Sequence, residues 1–439
     1  MSLIWWVFDL HPQIMYQFSA VPFALIFYWL GRPTCISLIY RYIYLTFGGC
    51  VLAVVSMGPY CLIVLLPTVL SVVLIHSLCA QHIHSWVFLT QMSWQSFWHF
   101  TIQYKEYWLQ EPSDTRLLIA VSSLMLLTQR VTCLSMDIQE GKLRSPHSGT
   151  QSSAPLTVPS WLPYLSYTLY FPALLGGPLC SFSHFKACVE QISLRPPRYP
   201  LGAMLRKFLL VVSLEGAKKL LRTYLLENVR SPMPPSVLGN IVLMWTLSLW
   251  YKMSYYSHWA LSEALNNTAG LGFRGYSSQG TPLWDGLSDS DIWALETSSR
   301  LSDFARMWNK TTTIWLRRLV FQKSPVNPLL LTFGFSALWH GLHPGQVVGF
   351  LGWAATVEAD YRVHHYISPQ LGSTVWRLLY KSLSWAQTQL VIACVILTVE
   401  LRCLSSIWLL YKTSIGLFPL IYCVALLVLP RKQHNKKQC

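Results

Sequence analysis

Charge is what this sequence has least of. Only 12% of its 439 residues are Asp, Glu, Lys or Arg, where a soluble domain carries about 25%. Acids are the scarcer sign, 18 against 33 bases, for a formal net charge of +15. The polar/apolar alternation of a transmembrane barrel is also missing, which excludes that architecture. The eleven cysteines are scattered singly from Cys35 to Cys439 with no C-x-x-C pair. Zinc sites and disulfide frameworks both demand clustered spacing, so neither is expected, and no metal is assigned. No nucleic-acid-binding motif accompanies the basic excess, so nucleic acid is not an expected partner. No basic n-region opens the chain, Arg32 being the first positive charge, and a cleavable signal peptide is not expected. No serine or cysteine stands in local spacing with a histidine and an acid, which disfavours a covalent enzyme intermediate.

Apolar residues fill the space that charge leaves. They make up 53% of the chain, and runs near twenty residues recur, the length that crosses ~30 Å of hydrocarbon. The expected fold is an all-α polytopic membrane protein, one membrane-embedded domain over 1–439 with about eleven transmembrane helices. Spans read at 13–30, 41–57, 59–79, 84–103, 116–136, 205–226, 236–257, 327–342, 345–361, 376–400 and 404–429. Residues 137–160 read as a solvated connector. The stretch from Trp161 to Cys180 carries Pro163, Pro172, Pro178 and the pair Gly176-Gly177, and so many breakers predict a re-entrant hairpin buried in protein.

The long polar segment 258–326 holds no spanning run and reads as a loop with amphipathic helices. Leu301, Phe304, Ala305 and Trp308 repeat at three and four, an apolar helical face with Asn309 at its edge. On spacing alone Asn309 reads equally as a helix-ending residue, and Asn309-Lys310-Thr311 is a glycosylation sequon, as is Asn266-Asn267-Thr268. Farther on, a helix from Pro328 to Leu342 puts Phe333, Ser336 and Ala337 on the same side as His340. A histidine in so apolar a helix needs a reason, because an unpartnered imidazole is costly to bury. It is either bonded to a neighbouring helix or aimed into a cavity.

The polar string Arg306-Met307-Trp308-Asn309-Lys310-Thr311, followed one crossing later by Trp339-His340-Gly341, resembles the membrane-bound O-acyltransferase family. So do Asp291-Ile292-Trp293-Ala294-Leu295-Glu296, Val357-Glu358-Ala359-Asp360-Tyr361 and Phe171-Pro172-Ala173-Leu174-Leu175-Gly176-Gly177. The likeness runs nearly end to end and thins over 140–160, 187–240 and 270–288. It implies transfer of an acyl group from a thioester to a hydroxyl, with His340 and Asn309 as the catalytic residues. His340 suits the base, since imidazole titrates near neutral pH. Asn309 suits the donor to the developing carbonyl oxygen. Acyl-CoA is the implied co-substrate, octanoyl-CoA or a near relative, with no permanently bound cofactor. The implied acceptor is a serine near the N-terminus of a secreted peptide. Arg300, Arg306, Lys310, Arg317 and Arg318 are candidates to receive the coenzyme's phosphates, or are plain positive-inside charge. Trp308 and Trp315 are candidates to stack its adenine, or to seat the segment at the membrane interface. Phe333 and Trp353 are expected to floor an acyl pocket.

Orientation follows from charge. Arg431, Lys432, Lys436 and Lys437 place the tail 430–439 in the cytosol. Four spans back, 258–326 falls on the same side, and eleven crossings leave the N-terminus lumenal. Lys436-Lys437-Gln438-Cys439 looks like a dilysine retrieval signal for the endoplasmic reticulum. Within the family, a lysophospholipid or Wnt-type acyltransferase would use the same Asn and His. A transporter would also carry broken helices and intramembrane polar groups, but no internal repeat or string of carboxylates supports one.

Overall fold

A computed structural model describes residues 12–30, 36–143, 158–190, 201–230, 236–368 and 372–429. The basic tail at 430–439 and most of the 137–160 connector lie outside them. The chain divides into two compact units, residues 1–212 with 258–289 and residues 213–257 with 290–439.

The first unit opens with α1 (Pro12–Leu30), α2 (Leu38–Met57), α3 (Leu62–Ser77), α4 (Ala80–Tyr107) and α5 (Thr115–Gln139). Polar side chains along α4 face other helices rather than lipid. Gln91 Nε2 donates to Ser71 Oγ at 2.7 Å, and the His84 ring lies 3.0 Å from Ser135 Oγ. Such bonds hold membrane helices together where apolar packing distinguishes them little from lipid.

The breakers at 161–180 interrupt the helix. The nine-residue α6 (Trp161–Leu169) stops short of a crossing, and a turn at Phe171–Ala173 follows, before α7 (Phe182–Glu190). All of 166–176 is buried. Carbonyls freed by the broken helix are taken by the buried Arg130 guanidinium, which donates to Thr168 O at 2.7 Å and to Ala173 O. Gly176 is required there, because a Cβ would stand 2.0 Å from His258 Nε2.

α8 (Leu201–Arg230) and α9 (Val237–Thr268) contribute to both units. α9 continues eleven residues past its expected end at 257, burying Asn266 completely. A two-residue ladder, β1 (Gly275–Tyr276) with β2 (Pro282–Leu283), follows it.

The second unit holds α10 (Ile292–Glu296), α11 (Leu301–Met307), α12 (Lys310–Leu319), α13 (Pro328–His340), α14 (Pro344–Ile367), α15 (Thr374–Glu400), α16 (Leu404–Lys412) and α17 (Leu417–Val428). Helices stand at every expected span, but eleven is not the number that length and apolarity support. Among the described residues three candidates pass, Leu38–Ser77, Thr115–Gln139 and Thr374–Glu400, with a fourth if Leu404–Lys412 and Ser414–Val428 are one span bent by 83°. The expected crossings 41–57 and 59–79 form one continuous 40-residue run. α13 is too short at 13 residues, about 20 Å. α14 is long enough at 24 residues but carries Glu358, Asp360, Arg362 and two histidines in its second half.

Candidate active site

Asn309 does not sit on the edge of a continuing helix. α11 ends at Met307, and Asn309 begins α12 as its N-cap, with φ 47° and ψ 65°. Its Oδ1 accepts from the backbone N–H of Thr312 at 3.4 Å. That leaves Nδ2, a two-proton donor, as the atom the junction presents. α12 then buries Thr312, Trp315 and Leu319 and exposes Lys310, Ile314 and Arg317, the amphipathic pattern the sequence predicts.

His340 is the last residue of α13. Pro328 starts that helix, where a missing N–H costs nothing, and Gly341 at φ 115° ends it two residues earlier than expected. The His340 ring is half-buried and stacks on Phe350 of α14, centroids 5.0 Å apart and planes within 25°. Beside it, buried Trp339 meets Trp315 of α12 at 5.1 Å. The helix that Asn309 starts and the helix that His340 ends are therefore packed together through these indoles. Trp315, only 1% exposed, is spent on this contact and is no platform for adenine.

The expected acyl-pocket pair is in contact. Phe333 and Trp353 lie 5.5 Å apart, two helical turns before His340 and one turn after Phe350. The rings continue beyond them. Trp353 meets Phe304 at 6.3 Å, and Phe304 stacks on Trp308 at 5.5 Å and 19°. One aromatic file thus connects the pocket pair with the residue preceding Asn309.

The five candidate cations do not act as one cluster. Arg300 is held by buried Asp360, its guanidinium 3.5 Å from Oδ2. Arg306 donates to Asp303 and, at 3.0 Å, to the Tyr361 hydroxyl. Burial works against its charge, yet Asp303 and Tyr361 hold its pKa above the ordinary value. Lys310 and Arg317 point to the exposed face of α12, away from Trp315, and Arg318 is half-buried. Arg306 instead shares an open cleft of about 450 Å³ with Thr297, Ser298, Ser299, Asp303, Met307 and Lys381. Lys381 was not anticipated, because it lies 75 residues farther along the chain than Arg306.

A buried ionic group was missed as well. Lys252 of α9, 1% exposed, donates to Glu296 Oε2 at 2.7 Å and to Gln389 Oε1 at 3.1 Å. Tyr256 donates to the other oxygen of Glu296 at 2.6 Å. The only signal in the sequence was a lysine inside an apolar run, which normally demands a partner. Among the described residues no group of three or more His, Cys, Asp or Glu stands ready to hold a metal.

Comparison with known proteins places the chain in a family. The sequence profile of the membrane-bound O-acyltransferase family matches residues 36–357. The chain is 45% identical to the membrane-bound ghrelin O-acyltransferase of Rattus norvegicus and 44% to that of Mus musculus, over 98% of this chain in each case and 98% and 99% of theirs. It is 27% identical to the human membrane-bound glycerophospholipid O-acyltransferase 2, over 91% of this chain and 80% of that one.

Proposed function

The chain belongs to the membrane-bound O-acyltransferase family and is an O-acyltransferase, and from that premise we propose that it moves a medium-chain acyl group, octanoyl by preference, from coenzyme A to a serine near the N-terminus of the ghrelin precursor. The acceptor rests on one observation, the 45% identity along both whole chains with an enzyme named for ghrelin.

The serine Oγ attacks the thioester carbonyl carbon as His340 removes its proton. The C–S bond breaks, and the proton passes on to the departing sulfur. Asn309 Nδ2 donates to the carbonyl oxygen while negative charge grows there, and its own side chain brings no charge to be neutralised first. The coenzyme's phosphates suit the cleft of Arg306 and Lys381, with the Ser299 hydroxyl beside them. Phe333 and Trp353 close the far end of the acyl pocket.

Purified protein incubated with a precursor peptide and a ladder of acyl-CoAs tests the reading by mass spectrometry. An eight-carbon adduct on serine is expected, and acylation of a lysophospholipid in place of the peptide would defeat the assignment. The same ladder reads the pocket. Phe333→Ala and Trp353→Ala should shift preference to longer donors, each extra buried methylene gaining ~0.8 kcal/mol, about fourfold. An unchanged length profile in both variants places the pocket elsewhere.

The enzyme is oriented with its C-terminus in the cytosol and its N-terminus in the lumen of the endoplasmic reticulum. Arg300, Arg306, Lys310, Arg317, Arg318 and Lys323 keep 300–323 cytosolic by the positive-inside rule. Trp315 of this segment packs on Trp339, so His340 stands beside the same segment, and the peptide reaches it from the lumen through the bundle. Cysteine tags at 300–323 should react from the cytosol. Glycan on Asn309 would reverse the topology.

A further inference from the structure

We propose that Tyr255 and Tyr256 are positioning residues for Asn309, acting through Trp308. The two tyrosines are consecutive on α9, and both present ring edges to the Trp308 indole, at 5.5 Å and 67° and at 6.0 Å and 62°. Each hydroxyl is tied to a different glutamate. Tyr255 donates to Glu400 Oε1 at 2.8 Å, and Tyr256 donates to Glu296 Oε1 at 2.6 Å.

Neither anchor is loose. Glu296 is gripped by Lys252 at 2.7 Å, and its backbone carbonyl accepts from Trp385 Nε1 at 2.7 Å and from Gln389 Nε2 at 3.1 Å. Glu400 is the last residue of α15, the same helix that supplies Trp385 and Gln389. The tyrosine rings are therefore fixed in place by their hydroxyls as well as by packing.

Trp308 is constrained from its other sides too. Its ring stacks on Phe304, and its carbonyl accepts from Thr313 Oγ1 at 3.1 Å. The next residue is Asn309, at a left-handed φ of 47°. Asparagine adopts that conformation more readily than other side-chained residues, because its amide bonds locally, here in the cap to Thr312. The clamp on Trp308 fixes where that junction begins. The direction of Asn309 Nδ2 is thus set by where Trp308 is held. Phenylalanine at 255 and 256 would keep both ring contacts and release the hydroxyl anchors, letting the α11–α12 junction drift.

The inference rests on Asn309 supplying its amide to the reaction, and the test separates the two. Full-length protein carrying Tyr255→Phe with Tyr256→Phe, and Tyr256→Phe alone, is purified in detergent and assayed for peptide acylation against octanoyl-CoA concentration. The double variant should lose at least about tenfold in kcat, as sub-ångström to ångström misplacement of a reacting group does. Its KM for the donor should stay within about twofold. The single variant should show a smaller loss of the same kind, and it carries the test if the double variant does not fold. An unchanged kcat, or a loss confined to KM, overturns the proposal. Wild-type turnover by Asn309→Gly, with the tyrosine variants impaired, instead removes Asn309 from the chemistry and shows that the tyrosines act on something else.

Discussion

Replacing His340 by Phe or Asn309 by Gly should abolish acyl transfer while leaving a folded, extractable protein. The choice of replacement follows from the structure. Phenylalanine keeps a ring against Phe350, where His340 stacks at 5.0 Å, and removes only the proton acceptor. A general base contributes about 10²–10⁴-fold, so peptide acylation should fall by that factor. At 309 an alanine would combine two effects, because a Cβ at φ 47° is strained when no local bond compensates. Glycine tolerates the left-handed conformation and costs only a few tenths of a kcal/mol as an N-cap. Its rate loss therefore reports the missing amide, and about 10²–10³-fold is expected for one oxyanion donor. Initial rates with saturating octanoyl-CoA, alongside size-exclusion profiles, decide the matter. Wild-type turnover in either variant would remove that residue from the mechanism. Aggregation of His340→Phe would assign the histidine to packing.

The residues read most surely from the sequence are those whose partners lie nearby along the chain. Phe333 and Trp353 belong to consecutive helices joined by a short turn, so counting turns from His340 on one side and crossing the turn on the other brings them together. Pro328 likewise opens α13 where expected, through its missing donor, whereas Gly341 ends it at a positive φ short of the expected Leu342. Phase errors were harder to avoid. Trp315 and Arg317, both candidates to meet the coenzyme, are two residues apart on α12 and so fall on different faces, and nothing in the sequence says which face meets α13. The indole is buried against Trp339, and the guanidinium is exposed. The crossing count is not confirmed, because helices stand at the expected places but among the described residues only three, or four with a bent pair, are both long and apolar enough to cross. Least legible were the long-range pairs. Arg300 meets Asp360 across 60 residues and Lys252 meets Gln389 across 137, and nothing local to either member names the other.

Glu296→Ala should be among the most damaging single substitutions in the protein, although Glu296 is assigned no part in the chemistry. It is the counter-ion of Lys252, whose side chain is 1% exposed. Removing one partner of a buried pair leaves an uncompensated charge and costs about 3–5 kcal/mol, a large share of a typical stability of 5–15 kcal/mol. One further group loses its acceptor at once, since Tyr256 also donates to this carboxylate. The loss of folded protein should show as a drop in thermal midpoint in detergent, with activity falling in proportion. Neutralising both charges separates the causes. Lys252→Met with Glu296→Gln removes the ammonium and keeps an amide oxygen for the Tyr256 hydroxyl, and replacing a buried ion pair by neutral groups of similar size is often tolerated. The double variant should therefore regain most of the midpoint that Glu296→Ala loses. If it is as unstable as the single variant, charge pairing with Lys252 is not what Glu296 contributes.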